Sequence, residues 1–341
     1  MLARTAIALV AAALFADQTL AHDNGHRHAA HLRRGEGYRH HHTTVVVTRT
    51  VTVDAADADY APTPAAVVAT TLMTQVQAAT TTSISVEARS TDGVVSSSST
   101  TTGGKRGIAY NDVSAVNVLM GAAASDKFSY AYNWDSNCNG LLHSGLSFVP
   151  MLWGNIDIHT SRWQANADAM IAAGSTHLLS FNEPDNAGQA NMSPADAAAA
   201  HVKWMNPYAG KSKIGSPAIT NSNIAGQGLD WLTSFMDSCN SLGCQIDFCV
   251  THWYHVPSAA QSLFDHIAAV SKICGGKKVW VTEFAPVQAS DSDIDNFLPE
   301  VLSKLDLDDT VEAYFYFYAA VGSLLSDASS LSSYGKIYAT N

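Results

Sequence analysis

The chain has 341 residues, of which 47% are hydrophobic and 14% are charged, so it is long enough for one substantial core and an additional segment. Its 19 Lys and Arg stand against 30 Asp and Glu, and the net charge of −11 argues against nucleic acid or an anionic membrane as a partner. Seven of the 14 His precede residue 43 and all five Cys follow residue 137. This distribution indicates that the N-terminal part is built differently from the rest.

The first 21 residues have the three zones of a secretory signal. Arg4 precedes an apolar run over residues 6–15, and Thr19, Leu20 and Ala21 end the segment. We predict cleavage after Ala21. The ten apolar residues are too few for a membrane-spanning helix, which needs about 20, and no later segment is long and apolar enough. We therefore expect no membrane span and a secreted protein, in the cell wall or outside the cell.

Residues 22–104 have the composition of a disordered, low-complexity stalk. The first part, 22–42, is rich in His, Arg and Gly, and 14 of the 23 residues from 80 to 102 are Ser or Thr. Such segments bury too little apolar surface to offset the entropy of folding. A weak metal-binding role for the His-rich part is the alternative, but nothing nearby holds its ligands in place. Lys105 and Arg106 follow, either as a processing site or as two solvated charges.

The remaining residues, 105–341, predict a (β/α)8 barrel, an α/β fold of the TIM-barrel type. Helix-like stretches at 162–173, 195–205, 229–238, 259–273 and 293–305 alternate with short β-type runs. Eight such runs in about 237 residues match the barrel in count and size. An open doubly wound sheet is the alternative, but no Gly-rich nucleotide loop supports it. The eight predicted strands are 107–110, 128–132, 147–152, 177–181, 213–216, 247–251, 278–282 and 311–317.

Two glutamates stand where a barrel places its reactive groups, at the C-terminal ends of strands. Of the four Glu in this domain, Glu183 and Glu283 end predicted strands, whereas Glu300 and Glu312 occupy surface positions. A salt bridge at the barrel rim is the alternative role, but no Lys or Arg lies near either residue in sequence. Two facing carboxyl groups are what hydrolysis of a glycosidic bond requires. The sequence therefore predicts a glycosidase.

Aromatic residues stand at the same strand ends, and their flat faces suit the stacking of sugar rings. They are Trp134, Trp153, Trp253 and Tyr254, and His252 precedes the last two. Among the five cysteines, Cys239 and Cys244 bracket a short loop and form the best candidate disulfide. Cys249 lies within a predicted strand and is expected to be a buried thiol, while Cys138 and Cys274 cannot be paired.

Six short sequences in chain order carry a resemblance to a known family. They are GIAYN at 107–111, YNW at 132–134, FVPMLWG at 148–154, FNEPDN at 181–186, HWY at 252–254 and TEFA at 282–285. With them the domain resembles glycoside hydrolase family 128, the fungal glycosyl hydrolase catalytic core that includes alkali-sensitive-linkage-like wall proteins and endo-β-1,3-glucanases. The resemblance covers nearly the whole domain, and residues 22–104 inherit nothing from it.

The resemblance implies a role for each matched residue. Glu183 would be the general acid/base and Glu283 the nucleophile, and Asn182 would bind the sugar 2-hydroxyl. The implied supporting groups are Tyr254 beside Glu283, His252 for polar contacts, and Trp134, Trp153 and Trp253 in the sugar subsites.

The expected activity is retaining hydrolysis of β-1,3-glucan, with endo action favoured. We expect a monomer with no cofactor and no metal. Two alternatives stay open: a non-catalytic β-glucan-binding wall protein on the same fold, and a related glycosidase acting on another β-glycan. Release of reducing ends from laminarin separates the first alternative from the enzyme.

Overall fold

The structure is a computed structural model, and it describes residues 104–123, 126–141, 143 and 145–341. The predictions for the signal, the His-rich segment and the Ser/Thr-rich stalk fall on residues 1–103 and lie outside the described residues. Within the described part of the chain, no helix combines the length and the apolar character that a membrane crossing needs.

Eight parallel strands form a closed ring, as the sequence predicted. Their order around the ring is the order of the chain, and the first strand pairs with the eighth. A parallel bridge between Met151 and Leu179 joins the third strand to the fourth, so the sheet has no open edge and the (β/α)8 fold is confirmed. The strands are β1 Arg106–Tyr110, β2 Phe128–Tyr132, β3 Ser147–Phe148, β4 His177–Leu178, β5 Lys213–Ile219, β6 Phe248–His255, β7 Val279–Pro286 and β8 Val311–Ala319.

Helices follow most of the strands and cover the outside of the ring. The five predicted helices are present, and the helices over 113–122 and 333–340 are two that the sequence did not predict. Ser193 is the N-cap of the helix that starts at Pro194, since its hydroxyl accepts a hydrogen bond from the Asp196 backbone amide. The helices are α1 Val113–Ala122, α2 Asp157–Ala172, α3 Pro194–Trp204, α4 Gly228–Leu242, α5 Gln261–Ile273, α6 Asp291–Leu307 and α7 Ser333–Thr340.

Aromatic rings fill the barrel near the N-terminal ends of its strands. The Trp280 ring centroid lies 4.6 Å from Tyr130, 4.7 Å from Phe248 and 4.8 Å from the His177 imidazole. Because these rings close the interior at that end, a substrate can enter only from the opposite mouth, where the strands finish.

Two disulfides lie outside the ring. The predicted bond between Cys239 and Cys244 is confirmed. The expectation that Cys249 is a free buried thiol is wrong, because Cys249 is bonded to Cys274. Residues alternate between the two faces of β6, so Cys249 faces outward and meets the C-terminal end of α5. Among the described residues Cys138 is the free cysteine.

Arg106 is part of the folded domain, and it is not a solvated charge. Its side chain is 1% exposed. The guanidinium donates to the Tyr314 hydroxyl at 2.8 Å, the Tyr338 carbonyl at 2.8 Å and the Asp306 carboxylate at 3.0 Å. Cleavage that leaves a chain starting at Gly107 would remove these contacts from β1. The structure therefore disfavours the processing site that the dibasic pair suggested.

We expect Arg106→Met to lower the free energy of unfolding by about 3 kcal/mol, because Asp306 and Tyr314 lose a buried charged partner. Urea denaturation followed by tryptophan fluorescence measures this change. Lys105→Met is the matched control, since the Lys105 ammonium contacts only backbone carbonyls, and its change should stay within about 1 kcal/mol. Equal urea midpoints for Arg106→Met and the unaltered protein would refute the structural role of this residue.

Candidate active site

Glu183 and Glu283 lie together at the C-terminal mouth of the barrel. Glu183 follows β4 and Glu283 lies in β7, and both are almost fully buried. A carboxylate oxygen of each residue and a ring nitrogen of His252 all lie within 4.8 Å of one another. The spatial pairing on which the predicted chemistry depends is therefore present in the fold.

A β-bulge in β7 aims two consecutive side chains at this site. Thr251 of β6 pairs with Val281, but His252 pairs with Glu283, so Thr282 is one extra residue in β7. Consecutive residues of a regular strand face opposite sides. Because of the bulge, the Thr282 and Glu283 side chains both reach the His252 ring, at 2.9 Å and 3.5 Å respectively.

Two hydrogen-bond donors hold the Glu283 carboxylate. The Trp134 indole donates to Oε1 at 2.8 Å, and the Tyr254 hydroxyl donates to Oε2. Trp134 has a φ of 57°, an uncommon conformation for a bulky residue. Each carboxylate oxygen thus has a fixed donor, and the two hydrogen bonds hold the Glu283 side chain in one orientation.

Glu183 is held by a different set of partners. Its Oε1 lies 2.8 Å from His252 Nδ1, and its Oε2 accepts a hydrogen bond from the Asn186 amide at 3.1 Å. The Glu183 backbone has a φ of 42° and donates to the Ala218 carbonyl at 2.8 Å. Strained backbone of this kind persists where surrounding contacts enforce it, and it clusters at active sites.

His252 lies between the two carboxylates and is fully buried. Burial alone lowers the pKa of its imidazole. The charges of Glu283 and Glu183, the hydrogen bond to Glu183 and the charge of Asp185 act in the opposite direction, and the pKa is raised above its usual value. Because the cluster is buried, water screens these charges little, and the neighbouring carboxylates determine the charge of His252.

Burial also raises the pKa of two tyrosines at the site, Tyr254 and Tyr132, well above the usual value, and the charges of Glu283 and Glu183 add to the effect. Both phenols therefore stay protonated over the working pH range and serve as donors. Tyr254 donates to Glu283, and Tyr132 donates to the Thr282 carbonyl at 2.9 Å.

Asn182 lies beside Glu183 with one open acceptor. Its amide nitrogen donates to Gln189 at 3.2 Å, whereas its buried Oδ1 has no hydrogen-bond partner among the described residues. A sugar hydroxyl would satisfy this atom. Trp153 is adjacent, because its backbone carbonyl accepts a hydrogen bond from the Asn182 backbone N–H at 2.9 Å. The Trp153 ring packs near the His159 ring.

Trp253 does not lie at the site, in contrast to the predicted sugar-subsite role. Its ring is fully buried, stacks parallel to Phe297 of α6 at 5.9 Å and donates to the Ser262 hydroxyl. The strand predicted from the sequence ends at residue 251, whereas β6 runs to His255. In a continuing strand, His252 and Tyr254 face inward and Trp253 faces the helices.

Sequence reasoning missed four residues that shape the site, namely Tyr132, Asp185, Asn186 and Thr282. Asp185 is buried, and its carboxylate accepts from the amides of Thr220 at 3.1 Å and Gly228 at 2.9 Å. It thereby fastens the segment that carries Glu183 to the connection between β5 and α4. The sequence held a signal for all four, because each lies inside one of the six family-like sequences, and Asp185, Asn186 and Thr282 lie in the two that contain Glu183 or Glu283.

The donor set of the site fits acid–base and nucleophilic chemistry performed by side chains. Oxygens of Glu183 and Glu283 and a nitrogen of His252 are close enough to share a cation. Each of these groups is already bonded to protein donors or acceptors, among them Trp134 and Asn186. A bound cation would have to displace those hydrogen bonds.

Comparison with known protein families agrees with this geometry. The family described as glycosyl hydrolase catalytic core matches residues 107–338. The chain belongs to this family. A comparison of the glycosyl hydrolase with curated protein sequences found no match. The resemblance to glycoside hydrolase family 128 is confirmed by solved structures.

Three of these structures illustrate the likeness. A subgroup III curdlan-specific exo-β-1,3-glucanase from Blastomyces gilchristii, in complex with glucose, is 40% identical, with a TM-score of 0.63 over 69% of this chain and 97% of that chain. A subgroup II endo-β-1,3-glucanase from Sorangium cellulosum is 29% identical, with a TM-score of 0.57, and the match covers 69% of this chain and 97% of that chain. A subgroup I endo-β-1,3-glucanase from Amycolatopsis mediterranei, in complex with laminaritriose, is 27% identical, with a TM-score of 0.58, and the match covers 69% of this chain and 98% of that chain.

Proposed function

We propose that this glycosyl hydrolase cleaves β-1,3-glucan and retains the configuration of the anomeric carbon. The observation that carries the proposal is the close approach of Glu183 and Glu283, with oxygens within 4.8 Å. Carboxyl groups about 5 to 5.5 Å apart act as acid/base and nucleophile, whereas inverting enzymes separate them by about 6.5 Å or more. The substrate is inferred from the β-1,3-glucanases that the chain resembles.

The mechanism follows from the contacts of each carboxylate. Glu183 donates its proton to the glycosidic oxygen as the bond to the anomeric carbon breaks. Glu283, oriented by Trp134 and Tyr254, attacks that carbon from the opposite face and forms a covalent glycosyl ester. Glu183 then removes a proton from water, which displaces Glu283 and restores both residues.

Laminarin tests the activity and its stereochemistry together. We expect release of reducing ends, and 1H NMR of the first product should show the β-anomer before mutarotation. First appearance of the α-anomer would contradict retention. Binding of laminarin without release of reducing ends would favour the non-catalytic wall protein, and faster hydrolysis of cellulose or mannan would favour a different β-glycan.

The position of cleavage is a separate question. The expectation from the sequence is endo action, but the 40% identical structure is an exo-enzyme, and the endo-enzymes reported above are 27% and 29% identical. The higher identity favours release of short products from a chain end. Time courses on curdlan and on reduced laminari-oligosaccharides separate the two modes, because endo cleavage lowers polymer length early and exo cleavage does not.

We infer secretion from the sequence and from the cysteines. The first 21 residues have the zones of a secretory signal. The two disulfides are bonds of the kind that form and persist in oxidising compartments. Attachment near a cell wall is the interpretation of the Ser/Thr-rich stalk, and fractionation of the producing cells tests both inferences.

A further inference from the structure

The hydroxyl group of Thr282 occupies a position that neither the sequence nor the predicted mechanism assigns. Thr282 is fully buried, and its Oγ1 lies 2.9 Å from His252 Nε2. It is the extra residue of the bulge in β7, so a regular strand would not bring both its side chain and that of Glu283 to the same ring. The bulge thus places a neutral hydroxyl beside the nucleophile and against the histidine that holds the acid/base.

His252 needs a partner on Nε2 that tolerates two charge states. The neighbouring carboxylates raise the pKa of His252, which favours the imidazolium, in which both nitrogens are donors. Glu183 must carry a proton to act as the acid, which removes one of the charges that stabilise the imidazolium. In the neutral ring Nδ1 still donates to Glu183, and Nε2 becomes an acceptor.

A threonine hydroxyl can accept from Nε2–H or donate to an unprotonated Nε2, because it rotates freely about its C–O bond. The carboxylate of Glu283, 3.5 Å from Nε2, can only accept. The other titratable groups facing the ring, namely Glu183, Asp185, Tyr132 and Tyr254, lie on β2, β6 and the segment after β4, and none is placed to donate to Nε2.

We propose that Thr282 is a positioning residue that keeps His252 hydrogen-bonded through Nε2 in both charge states, so that Nδ1–H stays on Glu183 while the acid/base loses and regains its proton. The inference rests on the proposed glycosidase function. Thr282 acts through His252 and touches no reacting atom, so its effect should be on the protonation of the site more than on substrate binding.

Thr282→Val tests the proposal, because valine keeps the shape of the side chain and removes the hydroxyl. Neutral His252 then has no donor for Nε2, whereas the imidazolium can still donate to Glu283. The retained positive charge favours the ionised form of Glu183. The basic limb of the kcat/KM profile on laminarin should move to lower pH by about one unit. At the optimum kcat should fall on the order of tenfold, with KM little changed.

Two further variants show whether the effect belongs to this hydroxyl. Thr282→Ser keeps the hydroxyl and should restore the wild-type profile. Thr251→Val is the matched control, because Thr251 is equally buried on the adjacent strand, but its hydroxyl contacts His266 and the backbone carbonyls of Ile219 and His252, and not the His252 ring. Its pH profile should stay unchanged. A Thr282→Val enzyme that is less active with an unmoved basic limb overturns the proposal in favour of a purely structural role.

A measurement on the unaltered full chain covers the case in which Thr282→Val does not fold. Long-range 1H–15N NMR of histidine-labelled protein, with His252→Asn for assignment, reports the protonation of each ring nitrogen. We expect the neutral ring to carry its proton on Nδ1, with Nε2 as acceptor. A neutral ring protonated on Nε2 would overturn the proposal. Absence of glucan hydrolysis by the unaltered protein would instead contradict the proposed function. The NMR measurement would still test the hydrogen bond between Thr282 and His252, because it does not depend on activity.

Discussion

Glu283→Gly should lower kcat on laminarin by at least roughly four orders of magnitude, because the variant has no group to attack the anomeric carbon. Trp134 and Tyr254 both donate to the Glu283 carboxylate, so its removal also leaves two buried donors around a small cavity at the site of attack. An anion that fits this cavity can take the place of the carboxylate.

Azide should therefore restore turnover of an activated substrate such as a 2,4-dinitrophenyl β-laminaribioside. Glu283 attacks from the face opposite the β-linked leaving group, and azide in its place must enter from that same face. The expected product is the α-glycosyl azide, identified by the anomeric coupling constant in 1H NMR. Formation of the β-azide would contradict the assignment of Glu283 as nucleophile. Glu300→Gly is the matched control, since Glu300 is exposed on α6 and pairs only with Lys304, and it should keep full activity.

The fold and the two carboxylates were predictable because each depends on local sequence. Strand and helix patterns recur along the chain, and a barrel is the closed arrangement that uses eight of them. Glu183 and Glu283 directly follow apolar runs, in a domain with only four glutamates. Closure of the strands into a ring is enough to predict that the ends of β4 and β7 face each other.

The register between strands could not be predicted in the same way. The bulge at Thr282 is a property of how β7 pairs with β6, and no residue type in the sequence marks it. The predicted sixth strand ends at residue 251, three residues before Tyr254, and this end point groups Trp253 with the aromatic residues of the sugar subsites. Continued alternation along β6 sends that ring outward to Phe297.

Two other misjudged residues share a cause, because their partners are far away in the chain. In the sequence Arg106 is one of two adjacent basic residues, but its hydrogen-bond partners Asp306 and Tyr314 are about 200 positions away in the chain. Cys249 reads as a strand residue, and only the docking of α5 against β6 brings Cys274 to it. Composition and spacing carry no information on such contacts.

Glu183→Ala should separate the two steps of the reaction. Hydrolysis of laminarin needs protonation of a poor leaving group, so kcat/KM should fall by about 10³-fold, within the range that general acid catalysis supplies. A 2,4-dinitrophenyl β-laminaribioside leaves without a proton, so the glycosyl ester on Glu283 should still form. Water then lacks its general base, and the ester should accumulate. Mass spectrometry of the denatured protein should show the added glycosyl mass.

Azide again distinguishes the roles, and the stereochemistry now has the opposite sign. In Glu183→Ala the ester on Glu283 occupies one face of the sugar, and azide enters from the face that Glu183 has vacated. The product should be the β-glycosyl azide, in contrast to the α-azide of Glu283→Gly. His252 loses its Nδ1 partner in this variant and keeps the contact with Thr282, so the ring itself should stay in place. An α-azide from Glu183→Ala, or no trapped ester at any pH, would contradict the assignment of Glu183 as acid/base and Glu283 as nucleophile.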